Sequence, residues 1–139
     1  MKRVIFTIGL AFLALNAKSQ IVVKESTKDS VVWYNKLAGL PKLVNFYTSE
    51  RNDYTLYFKN AKYTTITDIK YISLGEKETA TEFFNILKNV FDTGEKITIE
   101  LDRDTWIISK NLGVISIWSS SQSFSMNAKQ IENVLDALK

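Results

Sequence analysis

Between Ile97 and Trp118 apolar and polar residues alternate with a period near two, the pattern of strands with one buried face. Ile97, Ile99 and Leu101 fall on one side of the first run, with Thr98, Glu100 and Asp102 on the other. Reading Asp102-Arg103-Asp104 and Asn111-Leu112-Gly113 as three-residue hairpin loops predicts three antiparallel strands. That register sets Leu101 against Thr105, Ile99 against Ile107, and Lys110 against Val114. It gathers Ile97, Ile99, Leu101, Ile107, Ile115 and Ile117 on a core face. Trp106 and Trp118 then oppose one another on the outer face, together with Thr98, Glu100, Ile108, Lys110 and Ser116.

The rest of the pattern supplies further strands and two helices. Lys42 to Thr48 and Tyr54 to Lys59 form a strand pair about the polar turn Ser49 to Asp53, with Tyr54, Leu56 and Phe58 on one side. A turn at Asn60-Ala61 precedes Lys62 to Thr67, and Ile69 to Leu74 is a strand ending at Gly75. Glu76 to Asp92 has helical spacing in Ala80, Phe83, Phe84, Leu87, Val90 and Phe91, with Thr79 and Glu82 as an expected capping box and Gly94 as terminator. Met126-Asn127 followed by Gln130 and Ile131 marks the start of a second helix, whose stripe is Ala128, Ile131, Val134, Leu135 and Leu138. Ser119 to Ser125 reads as a loop or a ragged edge strand. Val31 to Leu40 fits a strand or a short helix, ended by Gly39-Leu40-Pro41.

These elements predict an α+β fold, a mostly antiparallel β-sheet with two helices packed on one face. The order of strands and then a helix occurs twice, a possible duplicated unit without a residue-by-residue repeat. Residues 42–139 are expected to form a single α+β domain, and residues 20–41 a partly flexible N-terminal segment.

Residues 1–19 alter the charge picture. Lys2-Arg3, an apolar run from Val4 to Leu15 and the small residues Ala17 and Ser19 have the layout of a cleaved export signal. The run is short of the roughly 20 residues that span a bilayer, so no stable membrane anchor is expected after cleavage. Cleavage after Ser19 removes three of the 18 basic residues and none of the 15 acids, leaving 15 against 15. The precursor's basic isoelectric point therefore gives no footprint for nucleic acid, and none is expected as a partner. Absence of cysteine from an exported chain removes any disulfide framework, and with no glycosylation sequon either, bacterial export to the periplasm or beyond is the expected destination.

Candidate chemistry is sparse. Without histidine or cysteine the chain lacks the residues of Ser-His-Asp and Cys-His catalysis and of the usual zinc sites, and no metal or cofactor is expected. Glu100 and Asp102, on one side of a strand, are the candidate acid and base of a small carboxylate-dependent hydrolase. The leading expectation is an exported, non-enzymatic interaction domain that binds a protein or small-molecule ligand across its sheet. Trp106 and Trp118 are its candidate stacking platform, with Glu100 and Lys110 as polar flanks. Packing of the same tryptophans against the segment holding Trp33 and Tyr34 is the structural alternative.

Overall fold

A computed structural model of the chain describes residues 28–47 and 50–139. The expected signal 1–19 and the start at Gln20 lie outside the described residues. The fold is α+β, with the order β1 (Lys28–Tyr34), β2 (Lys42–Tyr47), β3 (Asn52–Lys59), β4 (Ile69–Gly75), α1 (Lys77–Thr93), β5 (Ile97–Leu101), β6 (Asp104–Asn111), β7 (Val114–Trp118), β8 (Ser123–Asn127) and α2 (Ala128–Ala137). The strands make two antiparallel sheets rather than one: sheet A in the order β1-β2-β3-β4 and sheet B in the order β5-β6-β7-β8. Each sheet is followed by a helix, which agrees with the expected duplication of strands and then helix.

One core joins both sheets. Leu43, Leu56 and Ile72 are directly opposite in neighbouring strands of sheet A and are buried, as are Ile108 and Ile117 in sheet B. Helix α1 packs on strands of both sheets through Ala80, Phe83, Phe84, Leu87 and Val90, and α2 packs on α1, β1 and β8. Where the sheets meet, Phe58 stacks on Phe124 at 4.2 Å between centroids, and Trp106 sits edge-on to both at 6.3 and 6.4 Å. The indole N–H of Trp106 donates to the Leu101 carbonyl at 3.2 Å, so the polar atom of this buried ring is satisfied.

A polar joint sits at the same seam. Asn60 is fully buried just after β3. Its amide nitrogen donates to Asp68 Oδ2 and to the Ser121 carbonyl, while its oxygen accepts from the backbone N–H groups of Lys62 and Ser123. All four positions available to the side-chain amide are used, which is the condition for burying it cheaply.

Two local expectations are corrected and an open one is decided. Helix α1 begins at Lys77 with Glu76 as N-cap and no side-chain capping bond, so Thr79 and Glu82 lie inside the first turns. Val31 to Leu40, open between strand and short helix, begins as strand, because β1 pairs along β2 from Lys28↔Tyr47 to Tyr34↔Lys42. A bulge between Val31 and Trp33 breaks its alternation, and that break hides the strand in the sequence.

The second correction concerns register. Both hairpin loops have two residues: Leu101 pairs with Asp104 around Asp102-Arg103, and Asn111 with Val114 around Leu112-Gly113. All four loop residues have positive φ, as a type I′ turn requires. The shorter loops slip β6 by one residue relative to the expected pairing and thereby reverse its faces. Ile99 faces Trp106, not Ile107, and Lys110 faces Ile115, not Val114. Trp106 and Ile108 become core, and Ile107 turns outward. Left-handed backbone at Asp102, Arg103 and Leu112 costs about 1 kcal/mol or more each. Burying the Trp106 and Ile108 side chains, each contributing about 2 to 3 kcal/mol, offsets it.

The aromatic face of sheet A as candidate functional site

Strand β3 reads Tyr54-Thr55-Leu56-Tyr57-Phe58, with large or β-branched residues at both parities. One parity, Tyr54, Leu56 and Phe58, is spent on the core. The other points to the outer face, and the register collects its neighbours. Tyr34, Lys42, Tyr57 and Tyr71 are successive direct partners, forming one row across all four strands. The adjacent row is Val31, Val44, Thr55 and Ser73.

Ring geometry shows how this face is organised. Tyr57 is 6.0 Å from Tyr71 and 6.5 Å from Phe46 between centroids, although Phe46 is four residues along β2 from Lys42. The rings of Phe46 and Tyr57 therefore lean toward each other over Val44 and Thr55, which are buried to 5% and 8% exposure on the solvent side of the sheet. Lys42 Nζ lies 5.5 Å above the Tyr57 ring, within cation–π reach. Around this roof, Val31, Tyr34, Ile69 and Tyr71 remain exposed, at 49–62%. The result is a broad amphipathic patch that offers ring faces, phenolic hydroxyls and the ammonium group of Lys42, with Lys59 opposite Ile69 and with Asp29 and Asp53 on either side of Phe46.

The four residues expected to form a site are not brought together. Trp106 is a core residue at 2% exposure and has no open ring face. Trp118 lies on the opposite, outer face of sheet B, directly across from Ile107 and Ser123, with Lys96 Nζ 5.5 Å from its ring. Glu100 is exposed on the face of Trp118, opposite Thr105. Lys110 is at the end of the core face, its Nζ 4.2 Å above Phe91, where its stem and charge close the edge of the core.

The carboxylate pair is likewise divided in role. Asp102 sits at the β5–β6 turn with φ 51°, and its Oδ2 accepts the backbone N–H of Ser73 at 3.0 Å, fastening sheet B to the edge strand of sheet A. Glu100 stands on the outer face of β5 with no hydrogen-bonded link to it. Among the described residues, no group of three or more acidic, histidine or cysteine side chains could hold a metal ion.

The aromatic row was accessible to sequence reasoning only in part. Its signal was the surplus of large residues at the second parity of β3 and the recurrence of tyrosine at 34, 57 and 71. Joining those positions into a row requires the registers of three strand pairs, one of them bulged. No protein-family model matches the chain, and no curated protein or solved structure matches it either.

Proposed function

We propose that the protein is an exported, non-enzymatic interaction module that binds a partner protein through the aromatic face of sheet A. The observation that carries this reading is the cross-strand row Tyr34, Lys42, Tyr57 and Tyr71, whose end rings are 49% and 62% exposed. Tyrosine supplies large, rigid contact area at low entropic cost together with a hydroxyl for hydrogen bonding, which is why it is enriched in recognition surfaces. Roofing of Val44 and Thr55 holds Tyr57 in place before a partner arrives, so less ordering remains to be done on binding.

The export reading rests on residues 1–19, and the neutral mature charge that follows from it disfavours a nucleic-acid partner. Lack of histidine and cysteine, and the commitment of Asp102 to Ser73, favour binding over hydrolysis.

The test uses mature protein as bait in an envelope extract of the producing cell, beside a Tyr34→Ser, Tyr71→Ser double variant. A partner retained by the natural protein should be lost by the variant while its circular dichroism is unchanged. Retention by both proteins would sink the reading.

A further inference from the structure

Four strands form the edges of the two sheets: β1, β4, β5 and β8. An edge strand presents unpaired backbone groups that invite another chain, and proteins commonly blunt such edges. Three of the four are blunted. Strand β1 carries a bulge and packs against α2. Strand β4 turns Lys70 toward the core side, opposite Phe58 and ion-paired with Asp68, and its Ser73 N–H is bonded by Asp102. Strand β8 is bonded at Ser123 by both Asn60 and Ala61.

Strand β5 meets β4 at the Asp102–Ser73 bond beyond its Leu101 end, and over the rest of its length it has none of these devices among the described residues. It holds no proline and no bulge interrupts its pairing with β6. The residues flanking a two-residue hairpin loop are a hydrogen-bonded pair, and such pairs alternate along the ladder. Leu101, Ile99 and Ile97 thus bond to β6, leaving the backbone N–H and C=O groups of Thr98 and Glu100 directed at the free edge.

The side chains beside that edge make a groove. Helix α1 runs along β5 without covering it, and Ile86, Ile97, Ile99 and Leu101 remain half-buried. One part of the groove, of about 250 Å³, lies between Phe83 and Ile86 of α1 and Ile99 and Leu101 of β5, and a more open part extends it to Ile97. Glu78 and Glu82 rim it from α1 beside a single lysine, Lys77, and Glu100 stands on the opposite face of β5. A strand added to β5 would project alternate side chains onto this apolar floor while its backbone met Thr98 and Glu100.

We infer that β5 and α1 form a second binding site, which takes an extended peptide segment of alternating apolar and basic residues by strand addition. Backbone pairing supplies affinity, the isoleucine floor selects the apolar positions, and Glu100, on the face to which the alternate side chains project, selects the basic ones. A second copy of this chain is the poorer occupant, because it would bring its own Glu78, Glu82 and Glu100 to the same edge. The site is separate from the aromatic face, and neither depends on the other.

The probe is a synthetic peptide of about ten residues alternating valine and lysine, long enough to span β5 at strand rise. Titrated into the full chain, it should bind saturably and slow hydrogen exchange at the Thr98 and Glu100 amides. Thr98→Pro removes an outward N–H at an edge position where proline is tolerated, and should weaken binding about tenfold or more. The same peptide methylated on alternate backbone nitrogens should not bind, an outcome that holds whether or not the proline variant folds. Replacing its lysines by glutamates should weaken binding by about tenfold or more. Failure of the valine-lysine peptide to bind, equal binding of the methylated peptide, or protection of both amides in a peptide-free dimer would each overturn the inference.

Discussion

The outer faces of the two sheets differ although their inner faces do the same work. Both inner faces contribute large apolar side chains to one core. On the outside, sheet B shows Thr98, Glu100, Thr105, Ser109, Ser116, Ser123 and Ser125, with Ile107 and Trp118 as its larger residues. Sheet A shows Tyr34, Phe46, Tyr57 and Tyr71, and its rings cover a second, small apolar layer of Val44 and Thr55. Sheet B has a single ring, Trp118, on its outer face, so a four-stranded sheet in this chain folds without a cluster of rings there. The rings on sheet A are therefore a surplus over what the core requires, and a surplus of exposed aromatic surface marks an interaction site more often than it marks stability.

The comparison breaks first if the inner faces are not what unites the sheets. Trp106 touches Phe58 of sheet A and Phe124 of sheet B, so Trp106→Ala should destabilise the protein by about 3 to 5 kcal/mol in urea unfolding. Its neighbours test the slipped register within the same strand. Ile108→Ala should cost about 2 to 5 kcal/mol and Ile107→Ala about 1 kcal/mol or less, since Ile107 faces solvent opposite Trp118. The reverse order would restore the three-residue loops and return Trp106 to the surface.

A smaller effect is expected at the seam. Asn60→Ala leaves the backbone N–H groups of Lys62 and Ser123 and the Ser121 carbonyl without their side-chain partner. The cost should be about 1 to 3 kcal/mol, measured by the same unfolding assay. A change near zero would mean that the Asn60 joint adds nothing to the other contacts between the sheets.

How legible these differences are in the sequence depends on whether the signal is local. Helix α2 is written in adjacent residues: Asn127 accepts from the Gln130 N–H at 2.8 Å, Gln130 bonds back to the Asn127 N–H at 3.0 Å, and Met126 and Ile131 are both buried. Gly94 likewise ends α1 in the left-handed conformation, where the terminator is expected. The inner residues of β5 and β7 are also legible, because their alternation survives either loop length.

Strand β6 is not legible in the same way. Trp106, Ile107 and Ile108 are three large apolar residues in succession, so both parities are plausible and the loop alone decides. Neither Asp-Arg nor Leu-Gly is the Asn-Gly or Asp-Gly pair that announces a type I′ turn, and Leu112 adopts φ 49° without the aid of a side-chain hydrogen bond. The candidate tryptophan pair was lost with that one-residue choice. The aromatic row of sheet A is illegible for a different reason: its members are dispersed over four strands and meet only through pairing.

The finest test of the comparison is the ring that should matter least for folding. Tyr71 is 62% exposed at the edge of sheet A, packed on Tyr57 at 6.0 Å from one side. Cross-strand aromatic pairs contribute about 0.2 to 1 kcal/mol, and exposure places this one at the low end. Tyr71→Ser should therefore shift stability by about 0.5 kcal/mol or less, comparable with a substitution at Ser125 on the equivalent face of sheet B. A paired measurement of the urea midpoints of the two variants decides it. Should Tyr71→Ser instead cost as much as a core truncation, the aromatic layer would be a second core that stabilises sheet A. The difference between the two outer faces would then concern folding and would no longer support recognition.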